Sequence, residues 1–388
     1  MKNISLSIIG VGLVMTALTA CSDKTDAIMI AGRPQAAAFD TIINQKKVTL
    51  YTIKNNKGME VDVTNFGGRV VSIIVPDKEG KPTDVVLGFD NVAQYADSVN
   101  SPSDFGAAIG RYANRINKGR ITIDGNTIQL PTNNFGHCLH GGFAGWQYQV
   151  YDARQENDST LLLTMKSADG DSNFPGNVTA TVTYTVKADN SLDISYRGTT
   201  DKKTVLNMTN HSYFNLNGDA NTKVDNCLLM INADNYTPSD TTYMTTGEVA
   251  PVENTPMDFR TPTAIGKDVE NFDFAQVKNA NGFDHNWCLN TYVGGKGDDT
   301  QVAASLYSPV TGIKLEVFTN EPGIQVYTGN FLNGTLKGKY GITYGQRTGC
   351  CLETQKYPDS PNKPQWASPF LAPGEEYYSH CIYKFSIE

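Results

Sequence analysis

Between Val178 and Lys187 the chain alternates without a break. Val178, Ala180, Val182, Tyr184 and Val186 fall on one side, Thr179, Thr181, Thr183, Thr185 and Lys187 on the other. A helix would scatter these apolar residues around its axis. A period of two gathers them on one face, as in an antiparallel strand with one drier side. Ala188-Asp189-Asn190-Ser191 then turns the chain and Leu192 to Tyr196 returns, which predicts a hairpin. Val48–Ile53, Met59–Val63 and Val70–Val75 read as further strands. Ile121–Ile123 and Ile128–Leu130 flank Asp124-Gly125-Asn126, a second hairpin signal. Helical patterns are scarce, with Asn91–Ala96 and Asp268–Gln276 the two candidates. Aromatic residues make up 10% of the chain, a composition that favours pleated, half-buried surfaces. With no repeat and no linker, the expectation is one all-β domain over 38–388, built from packed antiparallel sheets.

The N-terminus is of another kind. Lys2 and a short apolar run from Ile4 to Thr19 lead into Leu18-Thr19-Ala20-Cys21, followed by polar Ser22-Asp23-Lys24. The run reads as a signal segment rather than a membrane span. The four residues resemble a bacterial lipobox. Residues 1–20 are then expected to be cleaved, Cys21 to be lipidated, and 21–37 to form a tether. That places the protein in the bacterial cell envelope, on the periplasmic side or the surface, with the lipid as its sole membrane attachment. The six other cysteines include no CxxC pair and read as buried hydrophobes. Adjacent Cys350 and Cys351 would face opposite sides of a strand. A net charge of −8 argues against a nucleic-acid partner.

Chemistry is sparser. Among five histidines, His211 lies in Asn207-Met208-Thr209-Asn210-His211-Ser212-Tyr213-Phe214, a setting that suits a ring-lined polar pocket or a satisfied core histidine. His140 opens His140-Gly141-Gly142, where glycines permit close backbone approach or a tight turn. His137 and His140 stand three apart without an evident third ligand, so no metal is expected. Asn114 and Arg115 suit sugar hydroxyls or a surface ion pair; Arg111 reads as structural. Asp284 and His285, adjacent on extended chain, should not both face one pocket. Glu353 follows apolar Cys350-Cys351-Leu352, and a carboxylate there would be desolvated and its pKa raised, unless it caps a solvated strand end. Spacing alone links none of these residues.

At these same segments the chain resembles the aldose 1-epimerases, or mutarotases. The resemblance rests on Asn-x-Thr-Asn-His-x-Tyr-Phe-Asn-Leu at 207–216, Gly-Arg-x-Ala-Asn-Arg-Ile at 110–116 and Leu-His-Gly-Gly at 139–142. It continues in Gly-Phe-Asp-His-Asn at 282–286, Tyr-Thr-Gly-Asn-Phe-Leu at 327–332 and Leu-Glu-Thr-Gln at 352–355. All fall in family order, from about Phe39 to the C-terminus. The resemblance implies a large antiparallel β-sandwich with few short helices. It implies interconversion of the α and β anomers of free hexoses such as glucose and galactose, without a cofactor. It implies Glu353 as general base and His211 as general acid. Asn114, Arg115, His140, Tyr213, Asp284 and Gln325 would contact the sugar. A glycoside hydrolase or a non-catalytic sugar-binding module on a related sandwich are the alternatives; oligomeric state is not legible.

Overall fold

The computed structural model describes residues 30–101 and 103–388, so the lipobox and Cys21 lie outside the described residues. A nine-stranded antiparallel sheet is its largest element. Its central run is Asp152–Asn157, Thr160–Ser167, Val178–Val186, Ser191–Thr200, Tyr377–Ile387 and Ile313–Thr319. Ala304–Tyr307, Leu228–Ile231 and Thr263–Ala264 complete it. A six-stranded sheet runs Tyr213–Phe214, Cys350–Gln355, Gly323–Tyr327, Asp284–Cys288, Asn235–Thr237 and Ala250–Pro251. A four-stranded sheet joins Leu50–Lys54, Glu60–Thr64, Arg69–Pro76 and Pro82–Asp84.

The alternation that dominates the sequence becomes the floor of the core. Val178, Ala180, Val182, Tyr184 and Val186 are all buried, while the threonines between them are exposed or half-buried. Each fully buried aliphatic side chain contributes about 1.5–3 kcal/mol. The large sheet packs on the six-stranded one. Tyr383 Oη donates to Leu352 O at 2.8 Å, and the Phe214 and Tyr383 rings meet edge-on at 5.0 Å. Leu352 is buried in the main core between the sheets, and its neighbours Cys351 and Glu353 must point out of the opposite face. Cys350 and Cys351 separate as expected, one in the main core and the other in a smaller aromatic cluster.

Local details refine the sequence reading. The second hairpin pairs Ile123 with Asn126, so its loop is only Asp124-Gly125, both at positive φ (50° and 80°), the geometry of a two-residue primed turn. Asn91 caps Val92–Ala96 by accepting from Gln94 N at 3.0 Å. The second helix is Ala275–Ala280 rather than Asp268–Gln276. Its stop signal is Asn281 in the left-handed region, whose N–H returns to Lys278 O and Val277 O. Val277 and Ala280, three apart, form its buried side. Near the N-terminus, within the segment read as tether, Arg33 is buried on the four-stranded sheet, 2.7 Å from Asp62 and 2.6 Å from Glu60. No described helix is long and apolar enough to cross a membrane.

Candidate active site

A cleft of about 420 Å³ opens against the outer face of the six-stranded sheet. Glu353 and Gln325 are paired across neighbouring strands, and Asp284 lies on the next strand, opposite Tyr327. Strand alternation therefore delivers all three side chains to one surface. Gln325 Nε2 donates to Asp284 Oδ1 at 2.7 Å, and Gln355 Nε2 donates to Gln325 Oε1 at 3.2 Å, which fixes the amide. His285 turns the other way, beside Tyr236 and Trp287, as alternation requires.

His211 reaches the cleft from a different direction. It lies between the short strands Thr209–Asn210 and Tyr213–Phe214. Its backbone is locked to the segment ahead of the Gly-Arg motif. Its N–H donates to Ala107 O at 2.9 Å, and Gly106 N–H donates to its carbonyl at 2.9 Å. The ring stacks on Tyr213 at 5.1 Å and 21°. Its Nε2 then lies 3.5 Å from Glu353 Oε1, and its Nδ1 lies 3.5 Å from Cys351 Sγ. The other carboxylate oxygen, Glu353 Oε2, is buried and has no hydrogen-bond partner among the described residues.

The Leu-His-Gly-Gly turn explains its glycines. His140, Gly141 and Gly142 have φ of 51°, 82° and 88°. A Cβ on Gly141 would lie 2.3 Å from Gly110 O. This turn sets His140 edge-on to His211 at 5.2 Å. Asn114 N–H donates to His140 Nδ1 at 3.1 Å. That bond fixes the tautomer, leaving the hydrogen on Nε2, so His140 offers a donor to the cleft. Asn114 itself sits at φ 65° with Oδ1 accepting from Arg115 N at 2.8 Å. Arg115 is buried, donates to Asn134 Oδ1 at 3.0 Å and lies 5.0 Å from the Tyr243 ring centroid. Arg111 has no place in the cleft. It donates to Ser167 Oγ and to the carbonyls of Pro175 and Ala168, a structural role as expected.

The residues expected to carry the proton transfers or contact the sugar all line this one cleft: Asn114, Arg115, His140, His211, Tyr213, Asp284, Gln325 and Glu353. The sequence reading missed Asp104, Tyr243, Phe135, Tyr327 and Phe331. Tyr327 and Phe331 stood inside the Tyr-Thr-Gly-Asn-Phe-Leu segment and stack at 6.4 Å. Phe135, Tyr243 and Phe331 continue an aromatic rim, with ring centroids 5.3 Å and 5.9 Å apart. Nothing local marked Asp104, Phe135 or Tyr243, which lie in loops. A smaller cavity, about 190 Å³, lies around Asp84 and Lys339. Those two charges saturate one another at 2.6 Å, and Tyr340 Oη adds a second bond to Asp84.

Burial governs the electrostatics. It pushes the Glu353 carboxyl well above the usual range, helped by Asp284 and Asp104 and opposed by Arg115. It pushes His211 down, against the charges of Asp104 and Asp284. Asp284 is raised by burial, with Arg115 and Gln325 resisting. His140 is driven well down by burial and by its neighbours His211 and Arg115. Burial thus favours the neutral form of both members of the His211–Glu353 pair. This is the reverse of the distribution that the acid–base roles require.

Two trios bring potential metal-binding atoms within 4.8 Å of one another: Asp104, His140 and His211, and His211, Cys351 and Glu353. Each has a prior commitment. In the first, His140 carries hydrogen on the nitrogen facing the cleft; in the second, His211 and Glu353 are the pair the proposed acid–base chemistry uses.

The aldose 1-epimerase family model matches residues 49–384. Galactose mutarotase of Rattus norvegicus is 40% identical over 329 residues, covering 85% of this chain and 92% of that protein. Aldose 1-epimerase of Escherichia coli (strain K12) is 39% identical over 342 residues, covering 87% and 95%. An aldose epimerase homologue from C. elegans superposes with a TM-score of 0.80 at 28% identity, covering 88% of this chain and 99% of its own. Galactose 1-epimerase from Lactobacillus acidophilus does so at 0.76 and 29%, covering 89% and 97%. With the β-sandwich and a cleft assembled from all six motifs, these matches establish that the chain belongs to the aldose 1-epimerase family, isomerases that act on carbohydrates.

Proposed function

We propose that Glu353 and His211 carry the two proton transfers by which this aldose 1-epimerase interconverts the anomers of free aldohexoses such as galactose and glucose. The observation that supports the reading most is the unpartnered, buried Glu353 Oε2 beside an imidazole at 3.5 Å from the same carboxylate. Such an oxygen lacks only a donor, and the C1 hydroxyl of a sugar supplies one.

A cyclic aldose is a hemiacetal. Glu353 takes the C1 hydroxyl proton while His211 gives a proton to the ring oxygen. The C1–O5 bond breaks and C1 becomes an aldehyde carbon. Rotation about C1–C2 presents its other face. Reversed transfers then close the ring, and the proton count of the pair is restored. Each positioned transfer contributes roughly 10²–10⁴-fold. Sugar hydroxyls that donate to Glu353 favour its ionised form, which moves the pair's proton onto His211 as binding occurs. His140 offers Nε2–H to the oxygen that gains charge. Asp284, held by Gln325, together with Asn114 and Arg115, would orient the ring hydroxyls, and Tyr213 supports His211. The aromatic rim offers a surface for the sugar's C–H face.

Cys21 is proposed as a lipid anchor that holds the enzyme at the bacterial envelope, on the strength of Leu-Thr-Ala-Cys after an apolar run.

Polarimetry on freshly dissolved α-galactose and α-glucose tests the catalytic reading. The wild type should speed the approach to the equilibrium rotation. Glu353→Gln, which keeps the shape but cannot accept a proton, should lower the rate at least about 10²-fold. Wild-type rates in that variant would remove Glu353 as base.

A further inference from the structure

Asp104 stands on the cleft wall outside every motif that marks the site. Its segment is held from both sides. Arg69, fully buried, donates to Phe105 O at 3.0 Å and to Ser103 O at 3.3 Å, the two carbonyls that flank it. Ala107 N–H donates to Asp104 O at 3.0 Å. The next residues are the ones bonded to the His211 backbone, so Asp104 and His211 belong to one rigid unit. A Cβ on Gly106 would lie 1.9 Å from Val70 O, so only glycine lets the segment pass this close to Val70.

A carboxylate oxygen of Asp104 and ring nitrogens of His140 and His211 lie within 4.8 Å of one another. Asp104 Oδ1 is buried and has no hydrogen-bond partner among the described residues. The other charged and titratable groups around His211 have other commitments. Glu353 serves as base, Asp284 is bonded by Gln325, Cys351 is a thiol, and Tyr213 stacks beneath the ring. Arg69 disfavours an imidazolium at His211, and His140 is neutral.

We propose that Asp104 is a positioning residue for epimerisation, its carboxylate serving as the counter-charge that lets His211 hold its proton ready for the ring oxygen. The inference rests on the acid role read for His211. Opposite charges within about 4–6 Å move a pKa by about 1–3 units, enough to decide whether a buried imidazole is charged near neutral pH. Among the charges that resist the burial of His211, Asp104 is foremost, and the same charge also raises Glu353. One anion thus holds both limbs of the pH–rate bell at higher pH than burial alone would set for the acid.

Asp104→Asn removes the charge and keeps the shape. Both limbs of the bell should move to lower pH by about one unit, because a negative charge favours the protonated form of each group. Asp104→Glu should return them. A rate loss with both limbs unmoved, as a merely structural residue would give, overturns the proposal. The imidazole of His211, followed by NMR in histidine-labelled protein and assigned through His211→Asn, should titrate at lower pH in Asp104→Asn; an unmoved midpoint also overturns it. A basic limb that survives in His211→Asn would instead remove the acid role from His211. The NMR midpoint then decides by itself whether Asp104 sets the charge of that ring.

Discussion

Glu353, the base proposed above, shows how one side chain can cost stability where it would supply chemistry. Its carboxyl is buried, with one oxygen unpartnered, and its folded pKa is raised. The folded state therefore holds this proton more tightly than the unfolded chain. Stability is full below the unfolded value, about 4.3, and falls as pH rises through the raised folded value. Glu353→Gln removes that dependence. The difference in Tm between variant and wild type should grow in favour of the variant from pH 5 to pH 8, even as activity is lost. A variant less stable than wild type at pH 8 would contradict the burial argument. His211 makes the complementary case. Its proton matters most as the ring oxygen gains charge, so His211→Asn should lower kcat far more than it raises KM. Rates and sugar affinity measured together check this; lost affinity at constant kcat would make His211 a binder.

At the scale of the element, strand alternation separates core from chemistry. Leu163 and Val182 face each other across adjacent strands inside the sandwich, and Thr183 faces outward. Leu163→Ala should cost about 2–5 kcal/mol by chemical denaturation. Thr183→Ala should stay within about 0.5 kcal/mol. Equal losses would mean that the outward face is packed as tightly as the core. The same alternation on Cys350–Gln355 sends Leu352 inward and Glu353 into the cleft. A one-residue slip of that strand would bury the base in the sandwich and expose the core leucine. The helices were less legible. Asp268–Gln276 carried a helical pattern, yet the chain turns helical only at Ala275, where Asn281 provides a left-handed cap and Val277 and Ala280 find the core.

For the whole molecule, every cleft residue lies in the body that follows Arg33, itself fixed to Glu60 and Asp62. Such a buried ion-pair set does more to fix the Arg33 segment on the four-stranded sheet than to add stability. We propose that the cleft works independently of an anchor at Cys21. If Cys21 carries lipid, Cys21→Ser should shift the protein from the detergent phase to the aqueous phase, with kcat unchanged in the purified enzyme. A wild type already found in the aqueous phase would point to a secreted form instead.

The sequence by itself determined the all-β class, because strand and hairpin signals recur along the chain while helical patterns are scarce. Its six ordered motifs also marked the residue types of the site. Only the tertiary structure brought His211 within 3.5 Å of Glu353, since pairing distant strands obeys sheet register and not spacing along the chain. Only the tertiary structure assigned His140 its tautomer, through a backbone N–H that no side-chain pattern encodes. It also placed Asp104, a loop residue without a local signal, beside two histidines. The charge state of the pair was decided there as well. A pKa in a buried cleft is set by the desolvation and fields of all the surrounding groups, and those exist only once the sheets have packed.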